Sequence, residues 1–120
     1  MATQLERWQQ RIEDIKQKLM ELGEMRPGAL SQQYNVCGQP QCRCKDPRDP
    51  RKHGPYWQLS YTHLGKSTTE FVKPALLSEV RQQLARYARF RKLTNDWVDL
   101  SLRIAKLRKS QVTPTRSRRT

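Results

Sequence analysis

Nowhere does the chain carry an apolar run approaching the roughly eighteen residues that a membrane span requires. Its first residues, Met1-Ala2-Thr3-Gln4-Leu5-Glu6, have no basic patch followed by an apolar stretch, so no secretory signal is expected there. Cysteine is scarce and odd in number, three in all, which argues against a closed set of disulfides. These absences place the expected compartment in the cytoplasm, where thiols stay reduced. Histidine occurs only twice, and the chain has neither a Gly-rich phosphate loop nor paired carboxylates beside a nucleophile. An enzyme is therefore not expected. Acidic side chains are also few. Eleven Asp and Glu stand against twenty-four Lys and Arg, a net charge of +13 that points to a polyanionic partner.

That charge is unevenly spread. Residues 1–24 hold four basic and five acidic side chains, whereas 25–120 hold twenty basic and six acidic ones, a balance of +14. A near-neutral first segment on a strongly basic body suits nucleic acid first and an acidic protein second. With 35% hydrophobic residues in 120, the chain has enough for one domain, assigned to 1–109, whose modest core needs a staple or a partner. The polar, basic stretch 110–120, with Arg116, Arg118 and Arg119, reads as a disordered tail.

The periodicities give an α+β fold, mostly helical. Leu5, Trp8, Ile12, Ile15, Leu19 and Leu22 recur at alternating steps of three and four, a heptad seam. Thr3 with Glu6 forms a capping box, and Gly23 followed by Pro27-Gly28 ends the helix, giving 4–23. Residues 25–55 contain five of the seven prolines and all three cysteines, and read as a long Cys/Pro-rich loop that something must tie down. Tyr56 to Val72 reads as a β-hairpin, with Trp57, Leu59 and Tyr61 on one face and a reversal at Thr62 to Lys66. A long helix over 74–109 follows, free of glycine and proline after Pro74. Its late positions Leu93, Trp97, Leu100, Ile104 and Leu107 repeat the seam of the first helix, so the two are expected to pack antiparallel. The step Tyr87-Phe90-Leu93 breaks phase, leaving either one helix with a shifted face or a break near Thr94.

Cys37, Cys42 and Cys44 with His53 place three thiols and an imidazole within seventeen positions of that loop. Such a Cys₃His set can close a tetrahedral Zn²⁺ site, one structural zinc per chain, with no position left open for a substrate water. Thiolate ligation contributes folding free energy directly. Two other readings stay open: inert reduced thiols, and a redox-active Cys42/Cys44 pair. His63, in the hairpin turn, ranks behind His53 as fourth ligand.

The stretch Met25-Arg26-Pro27-Gly28, Tyr34-Asn35-Val36-Cys37-Gly38, Cys42-Arg43-Cys44 and His53-Gly54-Pro55-Tyr56-Trp57 resembles a family of small bacterial, archaeal and phage-borne proteins known as a domain of unknown function. The resemblance runs over roughly 25–105 and implies that the three cysteines and His53 act as a unit. It also implies a microbial, intracellular setting, including service to a mobile element. A coarser architectural likeness is to the small hairpin-plus-helix domains that precede the catalytic domain of tyrosine recombinases.

Nucleic acid, DNA before RNA, is the expected partner. Its candidate contacts are Arg43, Lys45, Arg48, Arg51 and Lys52 in the loop, Arg81, Arg89 and Lys92 on the helix, and Arg103, Lys106, Arg108 and Lys109 near its end. Such side chains hold phosphates and confer salt-dependent affinity without reading sequence. Gln58, Ser60, Thr68 and Glu70 are the candidates for a polar hairpin face that reads bases. The alternative is a coiled-coil adaptor that dimerises, or binds an acidic protein, through the helix seam.

Overall fold

Thr3 starts the first helix, and a computed structural model, which describes residues 2–112, shows how. Its hydroxyl accepts from the Glu6 amide at 3.1 Å while the Glu6 carboxylate accepts from the Thr3 amide at 2.9 Å. This capping box satisfies two of the amides that a helix start leaves without partners. Helix α1 runs Gln4–Met20 and closes with the Glu21 amide bonding the carbonyls of Lys18 and Leu19. It thus stops short of the expected residue 23.

The described residues form two compact units. One comprises the described parts of Met1–Gly23 and Ala88–Thr120, the other Glu24–Tyr87. In the first, the seam of α1 is covered by the second helix, α2, which spans Leu77–Gln111. Ile15, Leu93 and Leu100 are buried together, with Trp8, Ile12, Leu19, Leu22 and Trp97 packed around them. The Lys16 ammonium adds a cation–π contact, 5.5 Å from the Trp97 ring centre.

Helix α2 is continuous, so no break occurs near Thr94. The Thr94 hydroxyl instead donates to the Phe90 carbonyl at 2.9 Å and the Arg91 carbonyl at 3.1 Å, staying within the helix. The phase step at Tyr87-Phe90-Leu93 marks a change of packing partner. Val80 and Leu84 pack on a sheet, whereas Leu93 and Leu100 pack on α1. A stretch of 3-10 helix, Pro74–Leu76, precedes α2. Residues 113–120, most of the expected tail, lie outside the described residues.

In the second unit the expected hairpin is present, but as part of a three-stranded antiparallel sheet of order β1-β2-β3. Strands β2, His53–His63, and β3, Lys66–Val72, turn through Leu64 and Gly65, both at positive φ (52° and 81°). That pair of left-handed residues matches the twist of a two-residue hairpin. Strand β1, Ala29–Asn35, corrects the reading of 25–55 as loop throughout. Leu30 is its one aliphatic residue beyond Ala29, so no alternation marks it in sequence, and backbone pairing with β2 holds it. Leu59, fully buried, centres the core with Val72 and Val80, and Leu30, Trp57, Tyr61, Leu77 and Leu84 surround them.

The register also separates the proposed base-reading residues. Thr68 lies opposite Tyr61 and Glu70 opposite Leu59, on the face that packs against α2, while Gln58 and Ser60 lie on the other. Glu70 is moreover ion-paired with Arg26 at 3.2 Å. The four therefore do not form one polar face.

Two stability measurements check this packing. Leu59→Ala is expected to cost about 2–5 kcal/mol in denaturant unfolding, as for a fully buried leucine. Leu64→Asn is expected to gain roughly 1 kcal/mol by relieving a left-handed leucine that is 91% exposed and packs on nothing.

Candidate metal centre

Asn35 and His53 face each other as the last pair of β1 and β2, so the chain leaves the sheet and re-enters it at one point. Cys37 follows two residues after Asn35, and His53 opens β2. Gly54, at φ 130°, makes this approach feasible, because a Cβ there would lie 2.7 Å from the Gln33 carbonyl oxygen. Within the loop, the Cys42 amide bonds the Gln39 carbonyl at 3.2 Å, closing a tight turn. Cys42 then leads into a 3-10 turn, Arg43–Lys45, that carries Cys44 inward to a buried position. This local turn brings the thiols of Cys42 and Cys44, two residues apart in the chain, within 4.8 Å of each other.

The Sγ atoms of Cys37, Cys42 and Cys44 and one ring nitrogen of His53 all lie within 4.8 Å of one another, a set that can hold a metal ion. Cys37 and Cys44 sulfurs are 3.7 Å apart, and Cys42 Sγ is 3.1 Å from His53 Nε2. Tetrahedral zinc, with Zn–S of about 2.3 Å and Zn–N of about 2.0 Å, places sulfurs about 3.8 Å apart and sulfur about 3.6 Å from nitrogen. The Cys37–Cys44 spacing fits that geometry and is far too wide for a disulfide, while Cys42 and His53 stand closer together than a shared ion would hold them. The Cys37 amide donates to Cys44 Sγ at 3.4 Å, a contact suited to a thiolate. His63 is excluded as a substitute ligand. It sits at the far end of the eleven-residue β2, roughly 30 Å from His53.

The thiols do not ionise alike. Cys42 is pulled down to about 6, chiefly by the Cys44 backbone amide and then by hydrogen bonds from the Cys37 and Cys44 thiols, with His53 adding to them. Cys44 moves above its ordinary value: the Cys37 amide favours its thiolate, but burial and the neighbouring Cys42 and Cys37 thiols outweigh that. Crowded thiols thus ionise at one another's expense. A dication among them would remove this conflict.

The expected nucleic-acid contacts fall in three places. Arg43, Lys45, Arg48, Arg51 and Lys52 are all exposed on the loop that the cluster closes. Asp46 turns onto the amides of Arg48 and Asp49, and Asp49 pairs with Arg51 at 3.2 Å, so Arg43, Lys45, Arg48 and Lys52 keep no ion pair among the described residues. Arg81 is already engaged, its guanidinium 4.8 Å from the Trp57 ring centre. Lys92 pairs with Asp96 and Arg103 with Asp99, each at 3.1 Å, while Arg89, Lys106, Arg108 and Lys109 are exposed. One feature escaped the sequence reading: an open cleft of about 380 Å³ beside the cluster, lined by Asn35, Val36, Cys37, His53, Tyr56 and Phe71. The alternation of Trp57, Leu59 and Tyr61 already put Tyr56 on the opposite face, but nothing in sequence joined it to Phe71.

Residues 5–82 match the model of a domain of unknown function, DUF6788, and the chain belongs to that family. The match begins in α1 and ends early in α2, where the resemblance had suggested 25–105. No curated protein and no solved structure matches the chain.

In protein stripped of metal by a chelator, Cys42 is expected to be the first thiol alkylated and Cys44 the last. A thiolate is the nucleophile, so the Cys42 rate should rise with pH through about 6. Site-resolved mass spectrometry of iodoacetamide labelling against pH checks this. Three equal thiols with midpoints in the ordinary range would contradict it.

Proposed function

We propose that this member of the DUF6788 family is a small zinc-stapled protein that binds nucleic acid, DNA before RNA, without catalysing a reaction. The observation that carries the proposal is the four-donor cluster at the base of a loop bearing four cations that make no ion pair among the described residues. Cys37, Cys42, Cys44 and His53 would hold one zinc, which supplies a closed structural tie and no open coordination position. The tie fixes Arg43, Lys45, Arg48 and Lys52 as a patch instead of a floppy chain, so less conformational entropy is lost when phosphates bind. Arg89, Lys106, Arg108 and Lys109 on α2 supply further cations. Lys92 and Arg103 can join them, because exposed ion pairs such as theirs are worth little and exchange readily. No helix among the described residues is long and apolar enough to cross a membrane.

The adaptor reading is less well supported. The seam of α1 packs against α2 of the same chain, which leaves Val98 and Leu102 as the exposed aliphatic positions on that stretch of α2. A role beside a mobile element rests on the family resemblance alone.

Native mass spectrometry should find one zinc per chain, lost or weakened in His53→Ala. Fluorescence anisotropy with a labelled DNA duplex should show binding at about 50 mM salt that weakens on the order of 100-fold by about 200 mM, the slope for some four phosphate contacts. Lys45→Glu with Arg48→Glu should weaken binding and flatten that slope. No binding at low salt to either the duplex or its single strands would overturn the proposal.

A further inference from the structure

The sheet face turned away from α2 carries two exposed aromatic rings. Tyr56 of β2 is 43% exposed and Phe71 of β3 is 65% exposed. They meet edge to face, ring centres 6.3 Å apart and planes at 69°. Around them the same face is polar and uncharged: Ser60 bonds Thr69 at 3.3 Å, Thr62 bonds Ser67 at 2.9 Å, and Gln58 lies opposite Phe71. Two large rings left open on a polar face are a binding feature rather than a stabilising one.

The rings line a cleft of about 380 Å³ together with Asn35, Val36, Cys37 and His53. Two of those residues are donors of the metal cluster, so the cluster that closes the loop also fixes the cleft wall. The volume suits a small ligand, and its lining offers aromatic faces and the Asn35 amide but no carboxylate. The loop that starts at Cys37 and ends at His53 carries Arg43, Lys45, Arg48 and Lys52, with Lys52 next to His53 in the chain. Aromatic faces lining a cleft at the foot of a cationic loop match a base attached to its phosphate. A duplex hides its base faces in the stack, whereas an unpaired strand presents them.

We infer that the Tyr56–Phe71 cleft holds an unpaired nucleobase, so that the protein binds single-stranded nucleic acid in preference to duplex. The inference rests on the nucleic-acid-binding reading above and names its target. Tyr56 and Phe71 supply the stacking surface, Asn35 a hydrogen-bonding edge, and the loop cations hold the adjoining phosphates.

The test is anisotropy with a labelled oligothymidylate, alone and annealed to its complement, against wild type, Phe71→Leu and Phe71→Trp. Phe71 is exposed, so neither variant threatens the fold. The single strand should bind more tightly than the duplex to wild type. Phe71→Leu, which keeps the bulk and removes the ring, should weaken single-strand binding about tenfold and leave duplex binding unchanged, while Phe71→Trp should retain it. Equal losses for strand and duplex, or no loss in Phe71→Leu, would overturn the inference and leave the phosphate-binding reading standing. Binding to neither form at low salt would overturn both. If Phe71→Leu instead converts a dimer to a monomer in sedimentation with strand affinity unchanged, the cleft seats a second copy of the chain and the inference fails.

Discussion

Four donor atoms within 4.8 Å join the end of β1 to the start of β2, and much of the second unit depends on that junction. Seventeen residues separate the two strands, with five of the chain's seven prolines between 25 and 55. A segment of that length closes at an entropic cost that β1 cannot repay by burial, since only Leu30 and Gln33 of its seven residues are even half-buried. A metal held at the junction would make the long loop behave as a short connection and would let an otherwise weak edge strand stay paired. The same junction sets one wall of the aromatic cleft and positions the loop cations, so tie, cleft and basic patch are consequences of one local arrangement.

Helix α2 serves both units with one uninterrupted backbone. It meets the sheet through Val80 and Leu84 and meets α1 through Leu93, Trp97 and Leu100. A strict heptad along its whole length would present a single stripe. Arg81, which by charge alone looks available to a polyanion, spends its guanidinium on Trp57. Counting basic residues therefore overstates the positive charge left unengaged, and the loop cations are its clearest part.

Much of this was legible in sequence, for identifiable physical reasons. The capping box at Thr3 and Glu6, the seam of α1 and the late seam of α2 are local patterns, and local patterns survive folding. The hairpin followed from the alternation of Trp57, Leu59 and Tyr61, a reversal within Thr62 to Lys66, and the β-branched and aromatic residues from Ser67 to Val72. The gathering of Cys37, Cys42, Cys44 and His53 was readable because few other roles bring three thiols and an imidazole into one proline-rich loop. What stayed hidden depended on long-range register. Strand β1 has no periodicity of its own, and the faces of Thr68 and Glu70 follow from their pairing with Tyr61 and Leu59. The cleft shares this origin, since Tyr56 and Phe71 meet only once β2 and β3 are aligned.

The claim at the centre is that metal binding at the cluster holds β1 onto β2. Amide hydrogen exchange of Ser31 to Asn35, followed with zinc bound, after chelation and after return of one equivalent of zinc, addresses it most directly. Loss of protection on chelation and its recovery with zinc, while the amides of α1 stay protected throughout, is the result expected. Identical protection in β1 with and without zinc would contradict it and return the cluster to a set of reduced thiols beside a strand that pairs without them.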